Sequence, residues 1–184
     1  LDLGAARQAF EDVPWVRKAL INRVWPNRLV VRLEEHRAAA LWAGDADSLV
    51  NSNGEVFAAN LGDVEDQDLP TLDGPEGSAP AMLALLRRLE PVLAPLEMHI
   101  ATLTLSGRGT WGMRSERGAT VELGRGSETE IVERTAQFAK TLGGVIARYE
   151  RPLLYADLRH HQGYAIRLKG ISTVNDAAPA GARN

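Results

Sequence analysis

The 184-residue chain contains no cysteine, which removes disulfide scaffolds, thiolate zinc sites and cysteine nucleophiles together. It has no excess of positive charge either. Lysine and arginine total 21 against 24 acidic residues, a formal net charge of -3, so a phosphate-neutralising surface for nucleic acid is not expected. No stretch approaches the roughly 20 apolar residues that span a bilayer. The opening LDLGAARQAFED lacks the basic and apolar regions of a signal peptide. The chain reads as a soluble piece and, starting without Met, as a piece of something longer.

Catalytic signatures are also missing. LGRGSETE is a glycine-rich junction before a helix, but it matches neither G-x-x-x-x-G-K-[ST] nor G-x-G-x-x-G. Glu128 and Glu130 would repel an anion from that helix start, and Ser127 with Glu130 is explained as a capping box. His160 and His161 are adjacent, so on a strand they point to opposite faces and cannot share a metal. His36 and His99 have no i, i+4 partners, and isolated exposed histidines are expected. No G-x-S-x-G elbow is present, and the acidic residues read as solvated loops and helix surfaces. No metal or cofactor is expected. Trp15, Trp25, Trp42 and Trp111 are assigned to core packing.

What the sequence does contain is periodicity. Leu3, Ala6 and Phe10 at helical spacing predict a short helix that stops at Pro14. Two β-branched runs around WPNR predict a hairpin. SLVNSNGEVF predicts another, with Asn53 and Gly54 as the two positive-φ residues of a type I′ turn. GDVEDQDLPTLDGPEG reads as an acidic loop. Ser78 then caps a helix that buries Met82, Leu83, Leu85, Leu86 and Leu89, broken or kinked by Pro91 and Pro95. MHIATLTLSGRGTWGMRSERGATVELGRG predicts a three-stranded meander with Ile100, Leu103, Leu105, Trp111, Met113, Val121 and Leu123 inward. A long helix from Ser127 presents Ile131, Thr135, Phe138, Leu142, Val145, Ile146 and Tyr149 on one face, with Gly143 and Gly144 as a weak point. LLYADLRHHQGYAIRLKG is the final hairpin, and ISTVNDAAPAGARN a fraying tail. The fold class is α+β, a mostly antiparallel sheet covered by two helices.

The last strand, YAIRLKG, has no later strand to pair with. At a sheet edge its free N–H and C=O groups could add a strand from a partner; alternatively, Arg167 and Lys169 blunt the edge.

PWVRKALINRVWPNRLVVRLEEHRAAALW, SLVNSNGEVF, LPTLDGPEGSA, VELGRG and YADLRHHQGYAIRL occur in the order and approximate spacing of the bacterial cell-division FtsQ (DivIB) family, which the chain resembles over residues 8 to 168. The resemblance implies a single-pass inner-membrane protein with a periplasmic POTRA domain and a β domain, acting at the division septum. Residues 1–36 would be the C-terminal part of POTRA, 37–170 the β domain, and 171–184 a disordered tail. It implies a scaffold without catalysis that binds FtsB and FtsL as a complex and links early and late division proteins. Its membrane contact would run through a transmembrane helix absent from this chain. The implied partner-binding positions are Arg108, Arg159, His160, Gln162, Gly163, Tyr164, Ile166 and Leu168. Relatives often have Tyr at His160 and Asp at Asn51, and some carry Trp at Leu168. Two other readings of the residues are a POTRA-type handler of unfolded strands in outer-membrane assembly or secretion, and a small cell-wall hydrolase.

Overall fold

Strand alternation and helix capping set the architecture of the computed structural model, which describes residues 2–160 and 163–170. Gln162 and the tail 171–184 lie outside the described residues. Helix α1 (Leu3–Glu11) starts where the Asp2 carboxylate accepts from the Gly4 and Ala5 amides, and buries no residue fully. Strands β1 (Val16–Val24) and β2 (Arg28–Glu35) form a separate antiparallel pair. The rest of the strands make one sheet: β3 (Ala38–Trp42), β4 (Ser48–Asn51), β5 (Val56–Ala58), β6 (Thr71–Asp73), β7 (Ile100–Leu105), β8 (Trp111–Ser115), β9 (Thr120–Gly124), β10 (Leu153–Asp157) and β11 (Ala165–Leu168).

Across that sheet the order is β11-β10-β9-β8-β7-β6-β3-β4-β5. Most neighbours are antiparallel, but β10 with β9, β3 with β6 and β6 with β7 run parallel. Strand β6 corrects the expectation of a loop: three residues inside the acidic segment bridge the two antiparallel halves, and Leu72 is fully buried.

Helices α2 (Ala79–Leu93) and α3 (Glu128–Tyr149) cover one face. Met82, Leu85, Leu89, Ile131, Phe138 and Leu142 pack there with Leu72, Leu103, Met113, Val121, Ala156 and Leu168 from the strands. The alternate residues Thr102, Thr104, Arg114, Thr120 and Glu122 line an open trough on the opposite face.

Several local expectations change. The Ser78 hydroxyl donates to the Pro75 carbonyl instead of capping α2. Pro91 sits inside α2 without ending it; it and Arg87, whose carbonyl it leaves unpaired, are both exposed, so water can take that acceptor. At the β4–β5 turn only Gly54 has positive φ, at 84°. The Asn51 side chain accepts from the Asn53 and Glu55 amides at 2.9 and 3.0 Å, which favours a three-residue loop with one left-handed residue over the two-residue turn. The α3 capping box forms as expected, and the helix runs through Gly143 and Gly144, but Tyr149 is exposed. Trp25 is 83% exposed rather than in the core.

Trp15 is half-buried and packs against the smaller core cluster around Leu49 and Phe57, where it forms a joint. Its ring meets Phe57 edge-on and its Nε1–H donates to Asp63 at 2.8 Å. His36 stacks on Phe57 at 4.0 Å, its Nδ1 2.9 Å from Asn51 Nδ2, so it is half-buried and engaged rather than isolated, and burial lowers its pKa. Arg17 spans Glu34 and Glu55, both at 2.6 Å. The joint ties the β1–β2 pair to the β4–β5 end of the large sheet.

Candidate interaction edge

Strand β11 is the outermost strand of the large sheet, and β10 is its only neighbour among the described residues. The Lys169 amide donates to the Pro152 carbonyl at 2.9 Å. Alternation along a strand then turns the backbone groups of Arg167 and Ala165 toward β10 as well, and those of Ile166 and Leu168 outward. Their side chains alternate in the other sense. Leu168 is buried and Ile166 half-buried against the helices, whereas Ala165, Arg167 and Lys169 stand on the exposed face.

Arg167 does not shield the edge, because its guanidinium lies 5.7 Å from the Tyr155 ring centroid, back across β10. Tyr164, just before β11, is pinned from the side. Its ring meets Phe138 of α3 edge-on at 5.0 Å and its hydroxyl donates to Thr141. The strand is therefore held in place by its helix side, while its outer backbone has no strand partner among the described residues.

Next to this edge, Asp157 ends β10 and closes on Arg159. Asp157 Oδ1 accepts from the Arg159 backbone amide and Nε at 3.0 and 2.8 Å, and Oδ2 accepts from Nη2 at 2.6 Å. The Arg159 guanidinium, through these side-chain bonds, holds the Asp157 pKa down to about 2, and Asp157 raises that of Arg159 further above its ordinary value. Asp157 is buried and Arg159 exposed, so the pair offers a fixed cation edge at the surface. His160 is exposed, with Nε2 4.0 Å from Asp157 Oδ2.

Because the Asp157 pKa is depressed, the carboxylate's stabilising contribution is complete above about pH 4, its unfolded range, and is lost as pH falls toward 2. Melting curves between pH 5 and pH 2 should show this loss, and Asp157→Asn should flatten that part of the profile. An unchanged profile in the variant would mean that the pair contributes nothing to folding.

The expected site residues come together only in part. Arg159, His160, Gly163, Tyr164, Ile166 and Leu168 follow one another along the β10–β11 connection and β11. Arg108 lies in the exposed β7–β8 turn, where Gly109 takes φ 77°. That turn is at the same sheet end as Arg159: Arg125 Nε donates to Thr110 at 3.2 Å, and the Leu158 amide donates to the Glu122 carbonyl at 2.9 Å. Between α3 and the β10–β11 connection runs a groove of about 600 Å³, lined in part by Glu133, Arg134, Phe138, Arg159 and Tyr164. Asp157 was missed by sequence reasoning, although an acid two residues before an arginine at the end of an apolar strand is a readable signal. Arg134 and Phe138 as supports of this corner carry no such signal, since both look like ordinary positions on α3.

Two family models match the chain: "Cell division protein FtsQ/DivIB, C-terminal" over residues 40–159 and "POTRA domain, FtsQ-type" over residues 1–36. Among curated proteins, the Cell division protein FtsQ of Burkholderia pseudomallei is 40% identical over 177 residues, covering 96% of this chain and 70% of that protein. Those of Bordetella pertussis and Vibrio cholerae are 36% and 32% identical, covering 91% and 90% of this chain and 66% and 61% of theirs. The chain thus spans about two thirds of the length of these relatives.

Proposed function

Because the chain belongs to the FtsQ/DivIB family of cell division proteins, we propose that it works as a division scaffold, without catalysis, whose β11 edge takes up a strand from the FtsB/FtsL complex. The observation that carries this reading is the open edge itself: an outermost strand whose Ile166 and Leu168 backbone groups have no neighbour among the described residues. A partner strand would gain main-chain hydrogen bonds along β11, and its acidic side chains would meet Arg159 and, across the sheet end, Arg108. Residues 1–36 serve on this reading as the C-terminal part of a POTRA domain and 37–170 as the β domain. The chain would stand in the periplasm at the septum, linking early and late division proteins. No helix among the described residues is long and apolar enough to cross a membrane, so on this reading the anchor belongs to another segment.

A peptide from the periplasmic end of the cognate FtsB should bind with micromolar or tighter affinity by titration calorimetry, and a scrambled peptide should not. Arg159→Gln should weaken binding several-fold at low salt and less at high salt, because an exposed charge is screened. Equal binding of the scrambled peptide would replace this reading with general strand capture, and no binding of the cognate peptide would end it.

A further inference from the structure

Two arginine side chains, Arg134 and Arg159, converge on the C-terminal end of β9, where the chain bends through Gly124 at φ 85°. A Cβ at Gly124 would stand 3.0 Å from Arg134 Nη1, 3.0 Å from Arg159 Cγ and 3.6 Å from Arg159 Cα. The aliphatic stem of Arg159 therefore lies across a bare Cα, while its head is turned to Asp157. Any side chain at position 124 would both strain that left-handed backbone and push the stem away.

Arg134 reaches the same point from α3. It donates from Nη1 to the Leu123 carbonyl at 2.5 Å, and from Nη1 and Nη2 to the Arg125 carbonyl at 3.3 Å. It thus brackets Gly124 by holding the carbonyl on either side. A lysine could not do this, because a point charge lacks the planar fork that spans two acceptors.

We propose that Gly124 and Arg134 are positioning residues for Arg159. The glycine supplies the floor on which the Arg159 stem rests, and Arg134 locks that floor in its left-handed bend. With Asp157 gripping Nε and Nη2, Arg159 is left with one fixed outward donor edge for a carboxylate on an acidic partner strand. The inference rests on the proposed partner-strand reading. Its expected benefit is the avoided ordering cost of one long side chain, which corresponds to roughly a two- to tenfold gain in affinity.

A double-mutant cycle tests it, with affinity for the cognate acidic FtsB peptide read by calorimetry at two salt concentrations and folding checked by melting. Gly124→Ala and Arg134→Ala should each weaken binding roughly two- to tenfold and reduce its salt dependence, and should add nothing once Arg159 is alanine. Arg134→Lys should not restore affinity. Arg134→Met, which keeps the stem, replaces the alanine variant if that one melts early. An undiminished effect of the position-134 or position-124 change in the Arg159→Ala background, or full affinity in both variants, would overturn the positioning role. Unchanged affinity of Arg159→Ala alone would instead count against the charge contact in the partner-strand reading.

Discussion

Proline in place of Ile166 is expected to lower affinity for the partner strand by about fivefold or more while the β10–β11 pair stays formed. The reason is the direction of one N–H. The Lys169 amide is bonded to Pro152, so alternation points the Ile166 amide outward, where an incoming strand needs a donor. Removing it leaves a partner carbonyl unpaired at a closing interface, which costs about 1–3 kcal/mol. That range spans roughly five- to more than a hundredfold in affinity. Proline at Arg167 gives the contrast, since that amide faces β10 and its loss breaks a bond inside the protein. Ile166→Pro should thus weaken binding with a modest drop in melting temperature, whereas Arg167→Pro should lower the melting temperature more. Calorimetric titration of both variants with the cognate FtsB peptide, beside their melting curves, checks the pattern. Wild-type affinity in Ile166→Pro would remove strand addition at this edge as the mode of binding.

The terminal strand could be read from the sequence because its signal is local. Alternation from Tyr164 to Leu168 after a turn is sufficient to predict a strand there, and among the described residues the sheet order puts it at the edge. The capping box at Ser127 and the meander from Ile100 to Gly124 are local in the same way. What could not be read depends on segments distant in sequence. Strand β6 has three residues and becomes a strand only because β3 and β7 flank it in parallel. The tryptophans divide according to neighbours that no periodicity encodes: Trp42 is buried, Trp15 meets Phe57 and Asp63, and Trp25 stands in solvent. At the candidate edge, the sequence offered Arg159 as a charge, but its grip by Asp157 and its rest on Gly124 arise where β9 and β10 come alongside each other. His160, prominent in the sequence, ends up exposed and only distantly paired.

The largest loss of stability is expected from Phe138→Ala, and it should reach the binding edge. Phe138 is 1% exposed, so its truncation removes a full aromatic side chain from the core and leaves a cavity, at a cost of about 3–5 kcal/mol. In a domain of this size that corresponds to a melting temperature lowered by roughly 6–20 °C. The same ring is the surface against which Tyr164 packs, edge-on at 5.0 Å. Once it is gone, the residue leading into β11 loses that ring contact and keeps its hydroxyl bond to Thr141, so the lateral support of the final strand is weakened at its start while Ile166 and Leu168 still pack on the core. Amide exchange should therefore accelerate in β11 more than in β7 or β8, and affinity for the partner strand should fall even at temperatures where the variant remains folded. Tyr164→Phe separates the two parts of that support, because it keeps the ring contact and removes only a partly exposed hydrogen bond, worth about 0.5–1.5 kcal/mol. It should bind nearly as well as the parent chain. If Phe138→Ala instead raised exchange uniformly across the sheet, Phe138 would be a core residue with no particular hold on the edge.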